Sequence, residues 1–405
     1  MTSALAARFL TGLAGAGTDG LMLAVSGGGD SMALLHLAVE AGLRVQATTV
    51  DHGLRPEAAA EAAGVARICA ALGVPHRTLR WHWDGTGNLQ DAARRGRRAL
   101  IGDWALGQGL AAVALAHTQD DVAETFLMRL ARGAGVDGLA AMAGDWPENG
   151  VQWLRPLLAV SRAELRHYLR AKGLTWAEDP SNDNPRFDRV RARQALAALA
   201  PLGLGPARLA EVAGHLAEAR QALEAATDAA WVRVVRDRGL ALELDLPALV
   251  LQPAEVRRRL LVAVILRIAP AEYAPRGAAV QALLARLLEG KDGMLAGCRF
   301  QWVKGRLWAF REAKAVAGLV AGPDALWDGL WRIAGPLPAG AQVGALGAGL
   351  TLCPGWRATG LPRAALLASP ALRLDGVLIA APHAGFGMGY SAIPLFPAAG
   401  LHQLP

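Results

Sequence analysis

The sequence predicts an α/β protein that opens with a doubly wound, mainly parallel sheet. Strand and helix signals alternate between residues 21 and 131, and a glycine-rich turn joins the first strand to the first helix. Apolar residues make up 53% of the 405-residue chain, which is enough to form buried cores. Alternating signals are typical of βαβ units, whose sheets bind ligands beyond the carboxyl ends of their strands.

Four strand–helix pairs build this predicted sheet. Short aliphatic runs predict strands over Leu21–Val25, Arg44–Val50, Val74–Trp81 and Ala111–Ala116. The longer runs after them predict helices over Ser31–Ala41, Glu57–Leu72, Asn88–Gly107 and Gln119–Ala131. Further along, Ser161-Arg162-Ala163-Glu164 is a capping box that begins a predicted helix ending at Ala171.

Changes in pattern divide the chain into four predicted parts. Residues 1–205 form the α/β domain and residues 206–238 a helical linker. Residues 239–314 mix helices with strands, and residues 315–405, rich in Gly, Pro and Trp, form a small β-rich C-terminal domain. A chain of this length suits two or three domains.

The charge balance and the cysteines bound the class of protein. A net charge of +7 suits a polyanionic partner, although a chain with only four lysines and many arginines also reflects a GC-rich gene. Three distant cysteines, Cys69, Cys298 and Cys353, form no CxxC pair, which argues against zinc, iron–sulfur and disulfide scaffolds. A long uncharged stretch, residues 333–356, is broken by Gly and Pro. We therefore expect a soluble, cytoplasmic protein that does not bind a membrane.

The turn after the first strand has the composition of a phosphate-binding loop. It reads Ser26-Gly27-Gly28-Gly29-Asp30-Ser31 and runs directly into a helix. Glycines let backbone N–H groups approach phosphate oxygens, and the helix N-terminus adds donors and positive potential. A carboxylate such as Asp30 suits this setting if it binds Mg²⁺. The loop lacks the lysine of GxxxxGK[ST] and the spacing of GxGxxG, and the plain alternative is a structural glycine turn.

This segment resembles the SGGxDS signature of the PP-loop, or N-type, ATP pyrophosphatases. The resemblance implies a Rossmann-like domain that cleaves ATP between its α and β phosphates. The adenylyl group passes to a substrate, and the loop holds the departing pyrophosphate. ATP and Mg²⁺ are the cofactors that this family implies.

Two basic segments resemble one branch of that family, the tRNA(Ile)-lysidine synthetases. Residues 51–55, Asp-His-Gly-Leu-Arg, match its DHGLR segment, so His52 and Arg55 are expected to reach phosphates. Arg94 and Arg97 match its ARxxRY helix and share one helix face, which suits a triphosphate or an RNA backbone. Arg98 stands where the branch usually has Tyr. Read without the resemblance, these are a turn histidine and a solvated basic helix.

An acidic segment, residues 117–125, resembles the HHxDDxxET motif of the same branch. Asp120, Asp121 and Glu124 crowd into one helical turn, where they repel one another unless a cation lies between them. Acids at a helix N-terminus also suit the helix dipole, which is the plain alternative. Thr118 replaces the second His of the motif.

Residues 179–193 resemble the branch's D-x-[ST]-N…[YF]-x-R-N-x-[IL]-R segment, with Val190 in place of Asn. The resemblance implies that Arg189, Arg191 and Arg193 face ATP or tRNA. Taken together, the motifs imply catalytic roles for Asp30, Arg94, Asp121 and Glu124, and metal ligation by Asp30 and Asp120. The implied ATP contacts are Ser26, Gly27, Gly28, Gly29, Asp30, Ser31, His52, Arg97, His117 and Arg189.

The function implied by the resemblance is a carbon–nitrogen ligase. The enzyme would join free L-lysine to C2 of the wobble cytidine of tRNA(Ile) with a CAU anticodon, through an adenylated tRNA, and DNA is not an expected partner. Residues 239–314 would then bind the tRNA. Three alternatives are a tRNA thiolase, an amidotransferase-type synthetase and a non-catalytic RNA-binding protein. The scattered cysteines disfavour the first two of these.

Overall fold

The computed structural model describes residues 3–14, 20–53, 58–83, 85, 86, 89–178, 186, 188–269, 271 and 274–395. The chain divides into two compact units, Met1–Arg220 and Gln221–Pro405. The finer division into four domains stays a prediction.

The first unit is built on a six-stranded sheet of order β3-β2-β1-β4-β6-β5. Its strands are β1 (Leu21–Ala24), β2 (Val45–Asp51), β3 (His76–Arg80), β4 (Ala112–Ala114), β5 (Asp145–Glu148) and β6 (Val151–Leu154). Its helices are α1 (Ser3–Thr11), α2 (Gly29–Glu40), α3 (Ala58–Ala71), α4 (Leu89–Gly107), α5 (Gln119–Leu130), α6 (Val136–Leu139), α7 (Arg162–Ala171) and α8 (Asp188–Leu199).

The central strand β1 lies between two parallel neighbours. Leu23 is opposite Ala47 of β2 on one side and Ala114 of β4 on the other. Strand β3 adds to β2 and strand β6 adds to β4, both in parallel. The predicted mainly parallel α/β sheet is therefore confirmed, with its four strand–helix pairs in the predicted order.

The hairpin of β5 and β6 was not predicted from the sequence. Strand β5 runs antiparallel to β6 at the edge of the sheet. The two strands are joined by Asn149 and Gly150, whose φ angles are 51° and 79°. An Asn-Gly pair with two positive φ angles is the typical two-residue hairpin turn, so the signal was present. Four-residue strands, one of which contains Pro147, gave too little alternation to be recognised.

Buried apolar side chains cover both faces of the parallel sheet. On one face Leu23 packs with Leu34 of α2 and Leu165 of α7. On the other face Met22 and Val113 pack with Ile101 of α4, in a separate cluster. A sheet covered on both faces gives continuous apolar strands instead of alternating ones, as seen in Leu21–Val25.

The second unit is antiparallel. Helix α9 (Pro206–Val234) leads into it, and a five-stranded sheet follows in the order β7-β8-β11-β10-β9. The strands are β7 (Val235–Asp237), β8 (Ala241–Leu244), β9 (Gly293–Leu295), β10 (Cys298–Val303) and β11 (Arg306–Arg311). The helices of this part are α10 (Leu246–Val250), α11 (Ala254–Ile268) and α12 (Gly277–Leu288).

The rest of the second unit has two smaller sheets. A four-stranded sheet has the order β12-β14-β15-β16, and β13 pairs with β17. The strands are β12 (Val320–Ala321), β13 (Trp331–Ala334), β14 (Gln342–Ala345), β15 (Pro370–Leu374), β16 (Val377–Ala380) and β17 (Ser391–Pro394). Two short helices, α13 (Ala313–Val316) and α14 (Arg363–Leu367), accompany them.

Apolar helices of the described residues were compared with the requirements of a membrane span. No single helix is both long and apolar enough to cross a bilayer. One pair, Asp188–Leu202 with Pro206–Val234, meets the length and composition requirement only when its members are joined, and the pair is bent by 97°.

Candidate active site

A cavity of about 880 Å³ opens at the carboxyl ends of β1, β2 and β4. Ser26 follows β1, His52 follows β2 and His117 follows β4, and all three line the cavity. The carboxyl edge of a parallel sheet is the usual ligand site of doubly wound folds.

The glycine loop forms one wall of this cavity. Gly27 has a φ of 92°, and its carbonyl accepts a hydrogen bond from the N–H of Ala177 at 3.0 Å. A Cβ atom on Gly29 would lie 3.3 Å from the indole of Trp176. Helix α2 begins at Gly29, and no side chain caps its N-terminus. Its first N–H groups are therefore available to an anion.

The Arg162 cluster, which comprises Arg162, Asp30, Asp121 and Glu124, lies beside the loop. The Arg162 guanidinium donates from Nε to Asp30 at 3.1 Å, from Nη1 to Glu124 at 2.9 Å and from Nη2 to Asp121 at 3.3 Å. The exposed fractions of the side chains are 16% for Arg162, 24% for Asp30, 8% for Asp121 and 1% for Glu124. Arg162 therefore bridges two buried carboxylates and the partly exposed Asp30. Arg193 also contacts Glu124 at 2.7 Å, and Arg189 contacts Asp121 at 3.5 Å.

The charges of this cluster shift one another's pKa values. Burial raises the pKa of Asp30 above its ordinary value, and Arg162 opposes this only in part. Burial also acts to raise the pKa of Asp121, but Arg162, the N–H of Thr118 and Arg189 together lower it. For Arg162, burial acts to lower the pKa, while Asp121, Glu124 and Asp30 raise it above its ordinary range. The guanidinium of Arg162 therefore keeps its positive charge.

The first turn of α7 is anchored on both sides of Arg162. The backbone N–H of Arg162 donates to Asp120 at 2.7 Å. Ser161 and Glu164 form the predicted capping box, and Glu164 also pairs with Arg8 of α1. The bond to Asp120 and the capping box fix where the Arg162 side chain leaves the backbone.

Thr118 caps α5 in place of the histidine expected from the motif. Its hydroxyl donates to Asp121 at 2.9 Å, and it forms a capping box with Asp121. Neighbouring His117 accepts a hydrogen bond from Nε of Arg155 at 3.2 Å. Burial, followed by the charge of Arg155, lowers the pKa of His117 to about 3. His117 is therefore neutral at physiological pH and acts as an acceptor.

Arginines converge on the other side of the cavity. The pKa of Arg97 is lowered by burial and then by Arg94, Arg189 and Arg98. The pKa of Arg94 is lowered by burial and then by Arg98 and Arg189. Arg98, at the position of the family tyrosine, pairs with Glu148 of β5 at 3.1 Å. Guanidinium groups that repel one another create a positive potential that attracts anions.

Comparison with known proteins gives the family. A family model described as a PP-loop domain matches residues 1–200. A tRNA(Ile)-lysidine synthase of Ruegeria pomeroyi is 50% identical over 92% of this chain and 90% of its own length. That of Zymomonas mobilis is 41% identical over 72% of this chain and 88% of its own length. The chain belongs to the tRNA(Ile)-lysidine synthase family. The predicted resemblance is confirmed, and the chain is an ATP-binding ligase that forms a carbon–nitrogen bond.

A solved structure resembles the chain more distantly. The U34-tRNA thiolase NcsA of Methanococcus maripaludis, with its [4Fe-4S] cluster, has 17% identity and a TM-score of 0.44 over 52% of this chain and 79% of that protein. This similarity is too low to bear on function. In the present chain all three cysteines are buried, and burial raises the pKa of Cys69 to about 11. Protonated, enclosed thiols are poor nucleophiles, so the thiolase alternative gains no support.

The structure brings most of the predicted site residues of this lysidine synthase family member to one cavity. Those that line it are Ser26, Gly28, Gly29, Asp30, Ser31, His52, Arg97, His117, Asp121 and Arg189. Gly27 lies in the loop wall, Asp120 anchors α7, Glu124 lies beneath Arg162, and Arg94 adjoins Arg98. Their individual roles stay predictions. Arg55 and residues 179–185 and 187 lie outside the described residues.

Sequence reasoning missed three residues that line the cavity, Arg162, Arg166 and Trp176. Arg162 was seen only as the second residue of a capping box. One signal was available, because an arginine at the first position of a helix opposes the helix dipole. A cation in that position needs nearby anions, and these come from distant segments of the chain.

Proposed function

We propose that this cavity joins free L-lysine to C2 of the wobble cytidine of tRNA(Ile) with a CAU anticodon. ATP is consumed, and AMP and pyrophosphate are released. The observation that carries the proposal is the position of the glycine-loop helix, whose N-cap residue makes no side-chain capping bond, next to the carboxylates of the Arg162 cluster. Asp30 and Asp121 line the cavity, and Glu124 lies behind Arg162. The glycine-loop helix suits phosphates, and the carboxylates suit an amine. A phosphate-binding loop does not require an amine site, and an amine site does not require a phosphate-binding loop.

Adenylation is the first step of the proposed reaction. The cytidine O2 attacks the α-phosphorus of ATP, and pyrophosphate leaves toward Gly28 and Gly29. The N–H groups of the first turn of α2 and the charge of Arg97 stabilise the departing phosphates. Burial, and then the charge of Arg97, lower the pKa of His52. His52 therefore contributes a neutral imidazole. The adenylyl group turns the C2 oxygen into a leaving group.

Lysine then replaces AMP at C2. A lysine amine is mostly protonated at neutral pH, so it must be bound as an ammonium and then lose a proton before it attacks. Asp121 and Glu124 supply the negative charge that binds the ammonium, and one of these two carboxylates accepts the proton that it loses. The carbon–nitrogen bond forms as the C2–O bond to AMP breaks.

Magnesium fits one position in this cavity. Asp30 Oδ1 is buried and has no hydrogen-bond partner among the described residues. Mg²⁺ is commonly held by one or two carboxylates and the substrate phosphates, so the absence of a group of three potential metal ligands among the described residues does not argue against it. When bound, it would neutralise charge on the phosphates.

The RNA partner suits the basic side of the cavity. A base in an anticodon loop leaves its stack more easily than a base in a duplex, so the wobble cytidine can reach the loop wall. Arg94, Arg98 and Arg155 are close enough to repel one another, and they are placed to meet RNA phosphates. We place the reaction in the cytoplasm, where tRNA, ATP and free lysine meet, and assign no DNA or membrane partner.

A labelling assay tests the proposal. The full chain is incubated with ATP, Mg²⁺, radiolabelled lysine and a tRNA(Ile) transcript with a CAU anticodon, and label is expected in the RNA. A transcript with GAU in its anticodon is the substrate control. Asp30→Asn is expected to slow lysine transfer by about a hundredfold or more. Asp103→Asn, an exposed position of α4 away from the cavity, should not. Release of pyrophosphate without labelled RNA would refute the proposal.

A further inference from the structure

Arg162 stands between the cavity and the most deeply buried acid of the Arg162 cluster. Glu124 Oε1 accepts hydrogen bonds from Arg162 at 2.9 Å and from Arg193 Nε at 2.7 Å. Both arginines line the cavity, whereas Glu124 does not, and the Glu124 side chain is only 1% exposed. A ligand in the cavity can therefore touch Glu124 only if one of these arginines moves.

Two oxygens of the cluster need further donors. Asp30 Oδ1 and Glu124 Oε2 are buried without a hydrogen-bond partner among the described residues. A buried carboxylate oxygen without a donor is unfavourable, and such cases call for an explanation. An ammonium group has three donors and no acceptor. With Asp30 Oδ1 assigned to Mg²⁺, Glu124 Oε2 remains, among the described residues, as a free acceptor for an incoming primary ammonium.

We propose that Arg162 is an internal stand-in for an ammonium group of the substrate. In the free enzyme its guanidinium occupies the position between Asp30, Asp121 and Glu124, and the side chain turns aside when lysine enters. Arg162 is then a positioning residue that sets the affinity for lysine. This inference rests on the proposed function.

Electrostatics favours an exchange of cations over simple removal of Arg162. The three carboxylates repel one another when no cation lies between them, and Arg193 on Glu124 and Arg189 on Asp121 offset this only from one side each, so an empty position is unfavourable. An ammonium replaces it charge for charge. Only the side chain needs to move, because the backbone N–H of Arg162 stays bonded to Asp120. The helix dipole also disfavours a cation at the first position of α7, which eases the departure.

Because Arg162 occupies the position that lysine takes, it lowers the apparent affinity for lysine. The observed dissociation constant of lysine equals the intrinsic constant divided by the fraction of enzyme in which Arg162 has turned aside. Neutral molecules of similar size gain nothing from the exchange, since they leave the carboxylates unpaired. Arg162 thus excludes ligands that cannot supply a positive charge.

Steady-state kinetics of two Arg162 variants tests the stand-in role. At saturating ATP and tRNA, we expect Arg162→Ala to lower the KM for lysine about tenfold because the competitor is gone. In this variant methylguanidinium should fill the vacated position and inhibit competitively against lysine, with little effect on the wild type. Arg162→Lys keeps a cation that bonds fewer of the acids. It should lower the KM about threefold. It provides the test if the alanine variant does not fold.

A neighbouring arginine provides the matched control. Arg8→Ala removes the ion pair with Glu164 on the same helix turn without touching the three acids, and it should leave the KM for lysine unchanged. A permanent structural role for Arg162 predicts the reverse pattern. The KM would rise in both Arg162 variants, and methylguanidinium would restore the alanine variant.

The proposed function is checked separately in the wild type. Formation of adenylated tRNA without lysine, followed by lysine transfer, establishes the reaction. If the wild type transfers lysine but either Arg162 variant has a raised KM, only the stand-in role is overturned. If the wild type adenylates tRNA but never transfers lysine, the proposed function fails and the stand-in role fails with it.

Discussion

The two units of the chain contain ion clusters of opposite design. In the first unit, one arginine, Arg162, is surrounded by three carboxylates. In the second unit, the Glu243 cluster reverses the signs. One carboxylate, Glu243, faces Arg238 at 3.1 Å, Arg306 at 3.2 Å and Arg236 at 3.8 Å. Each cluster thus has one central charge and three of the opposite sign.

The two clusters differ in how far water reaches their outer charged groups. The three outer groups of the Arg162 cluster are at most 24% exposed, whereas the arginines of the Glu243 cluster are 48% to 66% exposed. Water solvates the outer charges of the Glu243 cluster, which makes each ion pair weak. The buried charges of the Arg162 cluster depend on one another instead. The number of ion pairs in a cluster therefore affects stability less than the hydration of its outer charges does.

The largest expected effect comes from removing the central charge of the buried cluster. Arg162→Met removes the cation that the three carboxylates share and leaves only Arg193 on Glu124 and Arg189 on Asp121. We expect the free energy of unfolding to fall by about 3–5 kcal/mol. Urea denaturation measures the loss, and hydrogen exchange of α5 and α7 peptides assigns it to the first unit. Lys291→Met, which removes an exposed pair with Glu289, is the control and should leave stability nearly unchanged. Equal losses would break the comparison.

Acid tests the comparison through His117, a partly buried histidine beside the Arg162 cluster. His117 has a pKa of about 3 in the folded chain, below its ordinary 6.5. Between these values the unfolded chain binds a proton that the folded chain does not, so stability falls as pH falls. By pH 4.5 the loss from His117 is about 2 to 3 kcal/mol. His117→Gln, which keeps an acceptor for Arg155, should flatten this slope in urea titrations. An unchanged slope would refute the assignment.

A smaller effect is expected at the centre of the Glu243 cluster. Glu243→Gln leaves three arginines without their carboxylate, but water already solvates them, so we expect a loss of about 1 kcal/mol. Thermal unfolding with hydrogen exchange of β8 peptides measures it. Glu289→Gln provides a control at an exposed acid. A loss as large as that of Arg162→Met would mean that hydration of the outer charges is not the deciding difference.

The smallest effect is expected at one outer charge of the Glu243 cluster. Arg238 is 48% exposed, so Arg238→Ala should cost less than about 0.5 kcal/mol at 0.1 M salt. The difference from the wild type should vanish at about 1 M NaCl, where the Debye length is near 3 Å. Denaturation curves at the two salt concentrations provide the measurement. A difference that persists in high salt would indicate a packing role of the arginine stem.

Local patterns in the sequence were sufficient for much of the fold and part of the site. The glycine loop, the capping box at Ser161 and the order of the first four strand–helix pairs were all predicted. Each is encoded in contiguous residues, because backbone conformation and helix capping depend on near neighbours. The family resemblance came from such contiguous segments too. The β5–β6 hairpin was missed because its strands are too short to show a period.

The centre of the site was decided by tertiary structure. Arg162 and Asp30 are 132 residues apart in the chain, and Glu124 is 38 residues from Arg162. From the sequence by itself, the crowded acids at Asp120–Glu124 required a cation, and that much was determined. Which cation it is depends on how α7 packs beside α2 and α5. Charge interactions act through space, so their partners become known only when the sheet brings distant helix ends together.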